Sequence, residues 1–171
     1  MKIWHDDPST ALQDVFGDIA ATRMADLPIV NRALSVEAIG FRRYSDRHWI
    51  GALVTPWAIN LLRLPGATAG WPSASGGAGV DWRFPSGDYS FLVAEEARLG
   101  VYHLCSLFSP VLEFESMEAA CATALAALLA LLRPPMTLPE ALPEALPEDA
   151  APAAEPSRRR WLLGRAREGG R

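Results

Sequence analysis

Two side chains with nucleophilic and metal-binding chemistry stand two residues apart in Val101-Tyr102-His103-Leu104-Cys105. If this run is a strand, alternate side chains share a face, so the imidazole of His103 and the thiol of Cys105 point the same way. A thiol beside an imidazole can act as a nucleophilic pair, and the same two groups can supply two ligands to a metal. His5 and His48 add no clear third ligand, and Cys121 is the only other cysteine. The competing interpretation is that both residues pack in or near a sheet core, where free cysteine is common and inert. A phosphate loop, a G-x-S-x-G elbow and a His-Glu-x-x-His helix are all missing. Gly76-Gly77-Ala78-Gly79 lacks the strand-to-helix setting that a phosphate cradle needs. The sequence therefore asks for no catalysis.

Aromatic residues carry more information than ionisable ones. Trp49, Trp57, Trp71, Trp82, Phe84, Tyr89, Phe91 and Phe108 all fall between residues 49 and 108, many beside Pro56, Pro72, Pro85 and Pro110. Some must fill the core. The rest, rigid and next to turn residues, suit a shaped apolar surface for a protein partner. Arg42, Arg43, Arg63 and Arg83 lie among them and can pair with acidic groups on that partner or form a solvated face.

The elements that must position these residues follow from periodicity. Asp7-Pro8 predicts a helix start, and Leu12, Val15, Phe16, Ile19 and Met24 keep helical spacing up to the break at Leu27-Pro28. Val36 to Tyr44 and His48 to Thr55, joined by Ser45-Asp46-Arg47, predict a β-hairpin. Ala58 to Leu64 fits a strand or a short helix, with strand favoured. Residues 65–79, rich in glycine, serine and alanine, predict a mobile loop. Strands follow over 80–84, 89–94 and 101–108. Ser116 predicts the cap of a last helix that buries Cys121, Leu125, Leu128, Leu129 and Leu132 and stops at Arg133-Pro134-Pro135. The expected fold is α+β: an antiparallel, meander-like sheet of about five strands, one face covered by the N-terminal and C-terminal helices.

The tail is different material. Leu-Pro-Glu repeats begin at Leu138, Leu142 and Leu146, and proline every fourth residue predicts an extended or disordered linker. The expected division is a domain over 1–132, a Pro/Glu/Ala-rich linker over 133–156 and a basic tail over 157–171. A length of 171 residues, half of them apolar, allows one such domain with a full core, and a net charge of -4 gives no reason to expect nucleic acid. Met1 to Asp7 contain no apolar signal run, and Ala119 to Leu132 is too short to span a bilayer. A cytoplasmic location without membrane insertion is expected.

Five strings then resemble one family in order. Leu27-Pro28-Ile29-Val30-Asn31 comes first, then Val36 to Phe41, then Trp49 to Trp57 with Asn60-Leu61. Trp82-Arg83-Phe84-Pro85-Ser86-Gly87-Asp88-Tyr89 follows, and Cys105 to Pro110 with Glu113-Phe114 closes the series. The run over about residues 8 to 132 is similar to the HybE/HupJ family of nickel–iron hydrogenase assembly chaperones. The resemblance implies a protein that holds a small- or large-subunit precursor until its metal cofactors are in place and twin-arginine export is safe. It also implies contact with other maturation proteins, no cofactor and no catalysis. Rubredoxin-fused relatives carry Cys-x-x-Cys pairs that this sequence lacks. The partner-binding residues expected from these motifs are Trp57, Asn60, Trp82, Arg83, Phe84, Pro85, Ser86, Gly87, Asp88, Tyr89, Ser106, Phe108, Ser109 and Pro110. Two alternatives stay open: a scaffold that binds other maturation factors, and a thiol-dependent metal-delivery protein using His103 and Cys105. Ser157-Arg158-Arg159-Arg160-Trp161-Leu162 is similar to a twin-arginine consensus, at the wrong end to work as a signal, and is able to mimic the client's leader.

Overall fold

Asp7 sets the first helix by accepting hydrogen bonds from the backbone N–H and the hydroxyl of Ser9, at 2.8 and 2.6 Å. Helix α1 then runs Ser9–Ala21 and buries Leu12, Val15 and Phe16. It ends earlier than its apolar spacing suggests. Thr22 leaves the helical region and its hydroxyl donates back to the Asp18 carbonyl. The chain turns over 22–26, so Met24 lies outside the helix. The computed structural model describes residues 1–134 except Asp46 and Ser73, all within one unit, Met1–Met136. The expected linker and basic tail lie outside the described residues.

Six strands form one antiparallel sheet: β1 Glu37–Tyr44, β2 His48–Val54, β3 Ile59–Pro65, β4 Gly79–Phe84, β5 Gly87–Glu96 and β6 Gly100–Phe108. The sixth strand beyond the expected five is well explained by Ile59–Pro65, the segment that sequence left between strand and helix. Their order is β1-β2-β3-β6-β5-β4, which is two three-stranded meanders joined along β3 and β6. Pro56-Trp57 makes a tight turn closed by Thr55, whose backbone N–H and hydroxyl both donate to the Ala58 carbonyl.

The alternation expected along β1 breaks at one place. Ile39 pairs with Ala52 and Arg42 with Ile50, so Gly40 and Phe41 together oppose Gly51. Gly40 takes a positive φ of 61°, as a glycine bulge requires. The extra residue swaps the faces: Ile39 and Tyr44 join one core, whereas Ala38 and Phe41 join the other. Phe41 lays its ring over Gly51, where an added Cβ would stand 2.5 Å from ring atoms.

The two helices cover opposite faces rather than one. Helix α1 packs with Trp49, Leu53, Leu62, Leu64 and Tyr102. Helix α2, Met117–Leu131, packs with Ile50, Ala52, Val54, Ile59, Leu61 and Phe91. Strand β2 lies between them and is buried at all seven positions. Ser116 caps α2 as expected, its hydroxyl oxygen accepting from the Ala119 N–H at 3.2 Å. Its buried stripe is Ala120, Ala124, Leu128 and Leu131, and Leu125 is exposed. Of the residues expected on the buried side, Leu128 is buried and Cys121 and Leu132 pack at its margin, Leu129 is half-buried and Leu125 faces solvent, because the sheet admits alanines at closest approach. No described helix is long and apolar enough to cross a membrane.

Replacing Gly51 with Ala is expected to lower stability by about 1–3 kcal/mol, because the Phe41 ring must leave its packed position. A urea melt reads this as a lower midpoint, and an unchanged midpoint would contradict the packing of Phe41 on Gly51.

Candidate functional site

Strand register decides which of the predicted site residues meet. Ile59 pairs with Phe108 at the end of β6, and Phe84 pairs with Gly87 across the β4–β5 turn. Because β5 runs antiparallel to β6 with Leu92 opposite Leu104, that turn lies at the same end of the sheet as Phe108. The Thr55–Ala58 turn, the Pro85–Asp88 turn and Ser109-Pro110 therefore share one end.

Burial divides these residues into two kinds. Arg83, Pro85, Gly87, Asp88, Ser106, Ser109 and Pro110 are exposed. Arg83 donates through Nε and a terminal nitrogen to the two Asp88 carboxylate oxygens, at 2.8 and 2.9 Å, across the turn. That contact holds the Asp88 carboxyl below the usual carboxylate range. Phe84 is buried, and Trp57, Trp82, Tyr89 and Phe108 are half-buried against the core. Trp57 stacks on Phe16 with centroids 6.5 Å apart. Asn60, on the α1 face, is also half-buried.

Ser86 has a structural task. Its hydroxyl donates to the Leu131 carbonyl at 2.8 Å, so at 2.9 Å from Ser86 Oγ it is Tyr89 that donates. This pair satisfies one of the orphan carbonyls at the C-terminus of α2 and ties the turn to the helix. Asn31 works similarly. Its Nδ2 donates to the carbonyls of Val111 and Phe114 at 2.9 and 2.7 Å, while its backbone N–H donates to Pro56. The Leu27–Asn31 string thus braces the connection after β6.

The α1 face of β4 and β5 is uncovered beyond the Arg83–Asp88 pair. Leu92 is 53% exposed there, and Ser90 donates to Asp81 beside it.

His103 and Cys105 share a face, as strand alternation predicts, yet no hydrogen bond joins them. His103 is fully buried, and its Nδ1 accepts from the Trp82 indole N–H at 2.9 Å. Burial raises the Cys105 thiol, the wrong direction for a nucleophile. Burial, and then Glu37, pushes Cys121 up to about 11. Among the described residues no three His, Cys, Asp or Glu side chains are grouped to hold a metal.

The sequence placed Arg63, His48 and Trp71 in no common site, and the fold brings them together around His103. Arg63, expected among residues able to face a partner, is 2% exposed. One terminal nitrogen donates to His48 Nδ1 at 2.7 Å, and the guanidinium lies 3.6 Å from the Trp82 ring centroid. Trp71, from the supposed mobile loop, stacks on His103 at 4.2 Å and packs at 5.3 Å from His48. Burial, with Arg63 nearby, lowers both His48 and His103 from 6.5 to about 4. Register was the missing signal: Arg63 pairs with Ile50 and with His103, which nothing local in the sequence reveals.

The solution structure of HybE from Escherichia coli shares this fold, a six-stranded antiparallel sheet with one helix on each face, with a TM-score of 0.64 and 24% identity, over 90% of this chain and 96% of that one. The chain belongs to the HybE family of nickel–iron hydrogenase assembly chaperones, whose profile matches residues 7–164. It is similar to protein HoxT of Cupriavidus necator, 45% identical over 68% of this chain and 71% of that protein. It is also similar to the hydrogenase expression/formation protein HupJ of Bradyrhizobium diazoefficiens, 44% identical over 66% of this chain and 64% of that one. The family match extends past the boundary expected at residue 132, into residues outside those described.

The depressed imidazoles set a pH dependence. Between 6.5 and about 4 the unfolded chain binds protons at His48 and His103 that the folded chain refuses, so stability falls as pH drops through that window. In proton NMR the Cε1–H signals of both are expected to stay fixed on acidification from neutral pH to about 5 and to move near 4. Movement centred on 6.5 would show that the two rings are not buried as described.

Proposed function

We propose that this chain is a non-enzymatic chaperone that binds an immature nickel–iron hydrogenase subunit in the cytoplasm, holds it while metal cofactors are inserted, and releases it for twin-arginine export. Membership of the assembly-chaperone family carries the reading. The names of similar proteins support it: HupJ is a hydrogenase expression/formation protein, and HybE of Escherichia coli is a hydrogenase-2 operon protein.

The client-holding role is assigned to residues 1–132, and within them to the end of the sheet formed by Trp57, Arg83 to Asp88 and Ser106 to Pro110. Exposed turns carried on a rigid sheet suit recognition, because little ordering entropy remains to be lost on binding. Trp82, Phe84, Ser86, Tyr89 and Phe108 shape this end from beneath, through the contacts to α2 and the core. Asn60 adds an amide beside Ser106, its partner across β3 and β6. The chaperone needs no cofactor of its own for such a task.

Affinity capture with the tagged full chain from hydrogenase-expressing cells, followed by mass spectrometry, is expected to recover an unprocessed hydrogenase subunit. Recovery of other maturation proteins without any subunit would sink the client-binding reading in favour of a scaffold. The double variant Arg83→Ala/Asp88→Ala is expected to weaken subunit capture about tenfold. Its melting temperature should hardly change, since an exposed ion pair contributes only about 0–1 kcal/mol.

A further inference from the structure

The buried cluster around Arg63 has an imbalance of hydrogen-bonding groups. Arg63 and Trp82 can only donate, so the His48 Nδ1 and His103 Nδ1 atoms that meet them must be acceptors. In a neutral imidazole the other nitrogen then carries the proton, so both Nε2 atoms are N–H donors. Both are buried without a partner, and so are Arg63 Nε and Trp71 Nε1. Four unmatched N–H groups thus sit in one knot of mutually contacting rings, with no unmatched acceptor among them. The only other unmatched buried side-chain atom of the described residues, the indole nitrogen of Trp4, lies in the other core.

Charge is out of balance in the same place. Arg63 takes part in none of the described ion pairs, which join Arg23 to Glu96, Arg83 to Asp88 and Arg98 to Asp18. Its compensation comes from the faces of Trp82, Phe84 and Tyr44, with Cζ 3.6, 5.3 and 5.5 Å from the ring centroids. A guanidinium this buried ordinarily has an anion beside it. Among the described residues the groups around it are His48 on β2, His103 on β6, Trp82 and Phe84 on β4 and Tyr44 on β1, with Trp71 packed on both imidazoles and Arg47 acting on His48, and none of these carries a carboxylate.

We propose that the Arg63–His48–His103–Trp71 cluster is a receptor for a single carboxylate group. The match is one of number and sign. An ionised carboxylate carries one negative charge and accepts at about four lone-pair positions without donating, and the cluster offers one positive charge and four unmatched donors. A divalent cation is the wrong guest, because the protons occupy the nitrogens that would bind it and Arg63 repels it. Trp71 is the half-buried member, and its indole ring is held by ring stacking without a side-chain hydrogen bond, so the site is reached from its side. The inference does not rest on the hydrogenase reading, although Trp82 and Phe84 of β4 border both the cluster and the end of the sheet that carries the exposed turns.

The carboxylate is either a small free acid or the end of a polypeptide, and one titration separates them. The full chain, labelled with nitrogen-15, is titrated with sodium formate, with N-acetylalanine and with N-acetylalanine amide, followed by the indole N–H signals of its six tryptophans. Sodium chloride at matched ionic strength is the control. A saturable shift confined to the Trp71 and Trp82 indoles is expected with formate or N-acetylalanine. Saturation by N-acetylalanine alone identifies a chain terminus, and saturation by formate identifies a small acid. Trp71→Phe keeps a stacking ring and removes one donor, and should weaken binding on the order of tenfold, read at Trp82. Arg63→Lys keeps the charge and loses the second donor, and should weaken it too. A response equal to that of sodium chloride or of the amide, or no saturation at all, overturns the proposal and leaves ordered water as the partner of these donors.

Discussion

The pairing of β3 with β6 is the contact on which the rest of the molecule depends. Each half of the chain makes a local three-stranded meander, β1-β2-β3 and β4-β5-β6, from consecutive antiparallel hairpins. Neither half supplies a core alone: the residues under α2 include Ile50, Ile59 and Leu61 from one and Phe84 and Phe91 from the other. Joining Ile59 to Phe108 and Arg63 to His103 makes a single sheet wide enough for a helix on each side. The same ladder brings the Thr55–Ala58 turn, the β4–β5 turn and Ser109-Pro110 to one end, and it draws three strands' polar residues together around Arg63. Fold, proposed client surface and buried cluster are thus consequences of one long-range register.

Helix placement follows from that width. β2 lies between the two layers and is buried throughout, so its run of Trp49, Ile50, Ala52, Leu53 and Val54 has no polar side to show. Helix α2 approaches through Ala120 and Ala124, small enough for close contact, and its C-terminus is held by Ser86. The turn that carries Arg83 and Asp88 is therefore fixed from below, by the Ser86 hydrogen bond to the end of α2. A surface held in this way keeps its shape before a partner arrives.

Much of this architecture was legible in the residues. Alternating apolar runs broken by Pro56-Trp57 and Pro85-Ser86-Gly87 gave the strands, and Ser116 gave the start of α2. What could not be read was whatever depended on distant partners. Six strands in two meanders are visible locally, but the β3–β6 junction pairs residues forty or more apart in sequence. The bulge at Gly40-Phe41 reverses the alternation of β1 for a reason that lies in β2, at Gly51. The buried stripe of α2 is centred on Ala120 and Ala124 because of how closely the sheet approaches, whereas the expected stripe of Cys121 and leucines caught Leu128 but also included the exposed Leu125. Motif residues resolved in a similar way: Asn31, Ser86 and Tyr89 hold turns in place, and Arg83 and Asp88 stay in solvent. His48, Arg63 and Trp71 had looked unrelated, because only register and a folded-back loop make them neighbours.

The central claim is that the rigid end of the sheet holds an immature hydrogenase subunit. Hydrogen–deuterium exchange of the full chain, alone and with a purified unprocessed subunit, tests it most directly. The account predicts slower exchange at residues 55–58, 85–88 and 106–110 in the complex, with the α1 segment 9–21 unchanged. Protection confined to other segments, or none under conditions where the two proteins co-purify, would contradict it.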